Sequence, residues 1–399
     1  MKFAHFADCH IGGWRDENLK KLGFETFKKA IEECISKKID FLLISGDLFN
    51  TALPQIEYIK ETAAELRKLK ELGISVYIIP GSHDFSATGK TMIDVFEKSG
   101  LVTNVMKFEG NKLKFVVDNK TQAKITGMFG RKGALEKEEY LETDFSEVEN
   151  IDGFKIFLFH TALEEFKPNE YNTIECQSVN TLPKNFNYYA GGHVHYIFEK
   201  DFGKGKLVYP GALFPNNFKE LEEFKQGGYY LCEYDGLNKI LKTEFVPVKI
   251  KEVKSFEIFA KKVSEVNDQC YKILEKEMLR DNIIMLRISG VLEEGNPGDI
   301  DFNRISNNFI NNGVYAVLRN SSKLSTKAFE ELKVEVKSEK VEDVEEEILK
   351  KNLSETDILT KETVESLIKI LDTEKLEGEK ITDFEKRILQ EAKEVLNIE

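Results

Sequence analysis

Through the first 250 or so residues, short apolar runs alternate with longer segments whose apolar positions recur every three to four residues. The runs at 3–7 (FAHFA), 40–45 (DFLLIS) and 74–80 (ISVYIIP) read as strands covered on both faces. Between them, Phe24–Lys37 and Ile56–Leu72 repeat near 3.6 residues and predict amphipathic helices. Further strands are predicted at 113–118, 123–129, 154–160, 188–192 and 206–211, most of them ended by Gly or Pro. The texture is that of an α/β body with helices outside its sheets.

After Pro247 the texture changes. A helical stretch is predicted over Phe256–Met278, then a strand at 283–292, a turn-rich EEGNPGD at 293–299, a polar stretch and a strand at 313–319. Together they read as a small α+β domain. From about Glu339 the chain is charged and almost free of Gly and Pro, with helical periodicity in Val344–Leu353, Thr363–Leu371 and Phe384–Leu396. The expected divisions are therefore 1–247, 248–335 and a helical tail at 336–399.

Composition narrows the classes. A chain of 399 residues exceeds one ordinary domain. No apolar run approaches the length of a membrane span, and MKFAHFADCH lacks the features of a secretory leader. The 5 cysteines are scattered without a CxxC pair, which excludes a disulfide scaffold or cysteine zinc site and fits a reducing cytosol. A soluble cytoplasmic protein with no membrane partner is expected. The net charge of -13 is concentrated at one end, because residues 339–399 carry 19 acidic and 10 basic side chains. The body is nearly balanced, so a phosphate-bearing partner stays open, particularly if bound cations add their charge.

The histidines change the picture most. Of the 6 in the chain, His10, His83, His160, His193 and His195 lie at or just after predicted strand ends, among Asp and Gly. Ligands of open α/β sheets collect outside the carboxyl ends of strands. Imidazoles mixed with carboxylates such as Asp8 and Asp47 suit Mn, Fe or Zn. The Asp8/His10 and His193/His195 spacings would project both side chains the same way from an extended backbone. With Asp47 and His160 they suffice for a two-metal cluster, which activates water and clamps the oxygens of an in-line phosphoryl displacement. A lone DxH is a weak signal and a lone histidine more often an ordinary core residue. Five such elements in strand-end context are harder to dismiss.

The order DxH, GD, GSHD, H and GHxH resembles the calcineurin-like metallophosphoesterase superfamily. Within it, DCHIGG, SGDLFN followed by Pro54, and GSHD resemble the SbcD-type double-strand-break repair nucleases, orthologous to the nuclease named meiotic recombination eleven. The resemblance implies two packed β-sheets flanked by helices, then a small capping domain and a helical tail. It implies two divalent metals, most often Mn. One would be held by Asp8, His10, Asp47 and His195, the other by Asp47, His160 and His193. His83 would contact the scissile phosphate or protonate the leaving oxygen, oriented by Asp84. The family's Asn, an amide ligand to the second metal, is replaced here by Ser82. A hydroxyl is a shorter and poorer ligand, so weaker second-metal binding is expected.

Cys9 alternates away from the metals and is expected to pack. Trp14 fits either a substrate groove or loop packing. Arg131 and Lys132 are candidate DNA-phosphate contacts, although a basic pair in a turn is more often simply solvated. The resemblance further implies 3′-to-5′ exonuclease and endonuclease activity on duplex and single-stranded DNA and a homodimer. It also implies an SbcC-type coiled-coil ATPase docked on the tail through Val344, Ile348, Leu349, Leu353, Val364, Leu367, Ile368 and Leu371. The alternatives are a small-molecule phosphoesterase, which the same metal core permits, and a catalytically weakened architectural subunit.

Overall fold

The computed structural model describes residues 1–85, 91–130, 136–167, 176–327, 329–330, 361–371, 373 and 381–396. Strands β1 (Lys2–Phe6), β2 (Phe41–Ser45), β3 (Ser75–Ile79) and β4 (Thr103–Asn104) run parallel, linked by α1 (Glu17–Ser36), α2 (Ile56–Glu71) and α3 (Met92–Lys98). A hairpin of β5 (Lys107–Glu109) and β6 (Lys112–Lys114) precedes the second sheet. That sheet has the order β11-β12-β10-β9-β8-β7. Its strands are β7 (Val116–Val117), β8 (Lys124–Met128), β9 (Lys155–His160), β10 (Tyr188–Gly192), β11 (Phe198–Phe202) and β12 (Gly205–Tyr209), with α4 (Glu136–Glu142) and α5 (Ser146–Asn150) between β8 and β9. After α6 (Phe218–Phe224) the chain returns to the first sheet through β13 (Gly227–Asp235), antiparallel to β1, and β14 (Ile240–Val248).

The continuous apolar runs follow from burial on both faces. Phe3 of β1 and Phe41 and Leu43 of β2 meet Ile156, Leu158, Tyr188 and Ala190 of the second sheet. Their neighbours Ala4, Phe6, Leu42 and Ile44 face Phe27, Ala30, Ile31, Leu66 and Leu69 on the helices. Each fully buried large apolar side chain contributes about 1.5–3 kcal/mol, so this layered core fixes the strand ends from which the site grows.

The third sheet is β15 (Val253–Phe259), β16 (Ile283–Leu292) and β17 (Ala316–Thr326), accompanied by α7 (Val263–Lys276) and α8 (Phe302–Asn311). The chain divides into two compact units across these strands. The first comprises Met1–Glu257, Cys270–Arg287 and Phe302–Asn320; the second comprises Ile258–Gln269, Ile288–Asp301 and Ser321–Glu399. Within the first unit, Leu19 and Leu22 of α1 share a cluster with Phe214, Leu221, Val253, Ile283, Met285 and Ala316. Within the second, α9 (Lys361–Leu371) packs on α10 (Ile381–Leu396). Among the described residues, no helix is long and apolar enough to cross a membrane.

Several expectations need correcting. Residues 256–259 continue β15, and the following helix starts only at Val263. The Glu265 carboxylate accepts from the N–H groups of Lys261 and Lys262, setting that start. The run 113–118 is split between β6 and β7. Helix α1 begins at Glu17, earlier than Phe24, because Asp16 caps the Leu19 N–H at 3.0 Å. Strands β13 and β14 and helix α8 had not been anticipated. Val344, Ile348, Leu349 and Leu353 lie outside the described residues, as do Arg131 and Lys132.

Candidate metal centre

The loops after β1 and β2 are zipped together by backbone hydrogen bonds from Asp8 to Gly46 (3.2 Å), His10 to Asp47 (3.0 Å), Ile11 to Leu48 (3.0 Å) and Asn50 to Ile11 (3.1 Å). Asp8, His10 and Asp47 adopt left-handed backbone with φ of 48°, 42° and 50°, and His193 does so at 84°. The extended-backbone expectation for the two-residue pairs is thus corrected. Such φ values cost on the order of 1–3 kcal/mol each and persist only where the surroundings dictate them. Gly192 shows how closely the strand ends approach: a Cβ there would stand 2.0 Å from the Ser45 carbonyl oxygen and 2.8 Å from His160 Nδ1.

Three trios of donors have all their ligand atoms within 4.8 Å of one another: Asp8, His10 and His195; His10, Asp47 and His83; and Asp8, Asp47 and His160. His10 Nε2 lies 3.2 Å from His195 Nε2, 4.0 Å from Asp8 Oδ1 and 3.8 Å from Asp47 Oδ2. Donors about 2.1 Å from a common ion stand roughly 3–4 Å apart, so these separations suit a shared divalent cation. His160 donates Nδ1–H to the Ser45 carbonyl at 2.8 Å, which turns Nε2 toward Asp47 Oδ2 at 3.2 Å. That Nε2 is buried without a hydrogen-bond partner, as is His10 Nδ1. A buried lone pair facing a carboxylate calls for a positive charge between them.

The electrostatics agree. Burial pushes Asp8 up to about 7, reinforced by Asp47 and opposed by His160 and His195. At Asp47 burial is outweighed by His160, His10 and His83, which hold the carboxyl far below its usual range. Burial drives His10 down to about 3, and His193 likewise with His160 adding to the effect. His160 moves up to about 10 and His195 to about 9 because, despite burial, Asp47 acts on the first and Glu220 with Asp8 on the second. Without metal, protons must supply the positive charge that this donor set demands.

The sequence-predicted residues are placed as follows. Asp8, His10, Asp47, His160 and His195 converge. His193 joins none of the trios among the described residues. Its ring stands 5.2 Å from that of His160, and its N–H donates to both Asp8 oxygens at 3.1 and 3.0 Å. Buried Ser82 donates its hydroxyl to Asp47 Oδ2 at 3.3 Å. His83 donates Nδ1–H to the Asn50 carbonyl at 2.8 Å, leaving Nε2 available. The role given to Asp84 is corrected: its buried carboxylate accepts from the N–H groups of Gly81 (2.9 Å), Phe49 (3.3 Å) and Leu48 (3.4 Å). It fastens the β2 and β3 loops together, and Asn50 orients His83. Cys9 is buried in the helix-side core. Trp14 donates Nε1–H to the Pro215 carbonyl at 2.9 Å and packs against the Leu19 cluster. Ser45, Asn50 and Glu220 had been missed. The first two act through main-chain carbonyls, which leave no residue-type signal, and Glu220 follows its partner His195 by 25 positions.

Residues 1–196 match the family of calcineurin-like phosphoesterases. Fold and site define a metal-dependent phosphodiesterase whose donor set fits divalent ions. The chain is 31% identical over 287 residues to the DNA double-strand break repair protein Mre11 of Methanocaldococcus jannaschii, spanning 67% of this chain and 75% of that one. It is 29% identical over 299 residues to Mre11 of Methanococcus maripaludis (70% and 73%), and 27% identical over 297 residues to that of Archaeoglobus fulgidus (70% and 64%). The chain belongs to the Mre11 family, the SbcD-type nucleases.

Proposed function

We propose that the protein is a manganese-dependent nuclease that processes DNA ends in double-strand-break repair, as a 3′-to-5′ exonuclease and an endonuclease. The observation that carries this reading is His83, directed by Asn50, beside the buried Asp8, His10, Asp47 and His160 and the half-buried His195. Asp8, His10, Asp47 and His195 would hold one metal. Asp47, His160 and His193 would hold the other, with Ser82 or a water as a further donor. When bound, the two ions activate a water and neutralise the charge that builds on the phosphoryl oxygens. His83 presents Nε2 to the phosphate and gives a proton to the departing oxygen. Asp84 keeps the loops bearing Asp47 and His83 in register.

In this reading 1–247 is the catalytic domain, 248–335 the capping domain and 336–399 the docking tail. The protein acts as a cytoplasmic homodimer with an SbcC-type coiled-coil ATPase. Ile368 and Leu371 on α9 are 46% and 69% exposed, which supports a partner-facing stripe. Charged replacements of Leu367 and Leu371 should release that ATPase in co-purification, and retained binding would refute the placement. The decisive test is Mn-dependent cleavage of end-labelled DNA. His83→Ala should keep its metal but lose about 10²–10⁴-fold in rate. Equal rates would remove His83 from the chemistry. Metal-loaded wild type that leaves DNA intact but hydrolyses a small phosphodiester would refute the nuclease reading.

A further inference from the structure

One carboxylate beside the centre belongs to none of the motifs. Glu220, on α6, places Oε1 2.9 Å from His195 Nδ1, and its side chain is only 13% exposed. It is fixed from several sides. Oε2 accepts the Asn216 N–H at 2.8 Å, and Asn217 Nδ2 donates to Oε1. The Glu220 N–H is itself capped by Asn217 Oδ1 at 3.0 Å. Leu221, the next residue, is fully buried and anchors the helix. Asn216 continues the network, donating Nδ2–H to Asn50 Oδ1 at 3.3 Å.

A carboxylate in this place can only accept, so the His195 proton must sit on Nδ1. Nε2 is then the nitrogen left for a cation to displace a proton from, and it lies 3.2 Å from His10 Nε2 and 3.9 Å from Asp8 Oδ1. We propose that Glu220 is a positioning residue that fixes the tautomer and direction of His195 for holding a divalent cation. The inference rests on the metal-site reading above, though not on DNA being the substrate. Carboxylate–imidazole–metal relays of this kind orient the ligand and raise its basicity, and losing the outer partner typically costs about 10–100-fold in metal affinity.

The test is Mn2+ binding by calorimetry to the full chain, alongside 15N spectra of the diamagnetic Zn2+-loaded protein that report which His195 nitrogen keeps its proton. Glu220→Ala should fold, melt like the chelated wild type, bind Mn2+ about 10–100-fold more weakly and populate both tautomers. Glu220→Gln retains an acceptor oxygen and should fall between the two. Wild-type affinity with an unchanged tautomer in a folded Glu220→Ala protein would overturn the proposal. Should that variant fail to fold, unchanged affinity and tautomer in Glu220→Leu, which fills the space but removes the acceptor, would do the same. Wild type that binds Mn2+ but leaves DNA uncut would refute the nuclease reading and leave the role of Glu220 standing.

Discussion

In the proposed centre Ser82 stands where an amide would reach a metal, and its hydroxyl donates to Asp47 Oδ2 at 3.3 Å. That contact spends the donor on a carboxylate oxygen whose lone pairs the cations need. An asparagine would extend one bond further and offer a carbonyl oxygen. Ser82→Asn should therefore raise Mn2+ affinity at the weaker site, on the order of 10-fold. Titration of both proteins reads this directly, and equal occupancy at every concentration would discard the idea. At this scale the side chains that converge at the candidate site were legible, because Asp and His at strand ends stand out among the 6 histidines of the chain. The groups that aim them were not. His160 is directed by the Ser45 carbonyl and His83 by the Asn50 carbonyl, and a carbonyl belongs to every residue. Asp84 was misjudged for the reverse reason: adjacency in sequence suggested a contact with His83, whereas its carboxylate turns to three backbone N–H groups.

Strands β1, β2, β9 and β10 were readable because both their faces are covered, leaving unbroken apolar runs. Strand β14 was not, because it lies at a sheet edge with a burial pattern that alternates along ILKTEFVPV. The helix α8 has its apolar residues Ile305 and Phe309 buried amid five asparagine and serine positions, so it read as a polar stretch. What joins the elements is aromatic packing between the sheets. Phe3 stacks on Phe41 with centroids 5.1 Å apart and meets the edge of Tyr188 at 5.3 Å. Removing its ring leaves a cavity that neither sheet can close without moving strands that carry the site. Phe3→Ala should cost about 3–5 kcal/mol in unfolding free energy, measured by urea denaturation of the chelated protein. A loss below about 1 kcal/mol would mean that the sheets collapse onto each other freely.

Across the molecule, the same inter-sheet layer contains one polar device directly beneath the metal centre. His5 Nδ1 lies 2.9 Å from Tyr188 Oη on β10, and Nε2 lies 3.0 Å from Ser45 Oγ on β2. The Ser45 hydroxyl donates to the Ala190 carbonyl at 2.9 Å, so it accepts from Nε2–H, and Tyr188 donates to Nδ1. The imidazole is thereby satisfied as a neutral ring bridging both sheets. Burial, opposed by a hydrogen bond with the Gly191 backbone, pushes His5 down to about 3. In the unfolded chain the same ring takes up its proton near pH 6.5. Above that pH neither state is charged and the bridge contributes fully. Below it the unfolded chain binds a proton that the folded one refuses, so this stability is lost as pH falls from 6.5 toward about 3. The loss is about 1.4 kcal/mol per pH unit. His5→Gln keeps a donor and an acceptor but has nothing to titrate. With both proteins held metal-free, wild type should be the more stable at pH 7, and its advantage should shrink by about that slope between pH 6 and 4. An advantage that stays constant with pH would mean that His5 is protonated as readily in the fold as outside it, and that the sheets are not joined through a neutral imidazole.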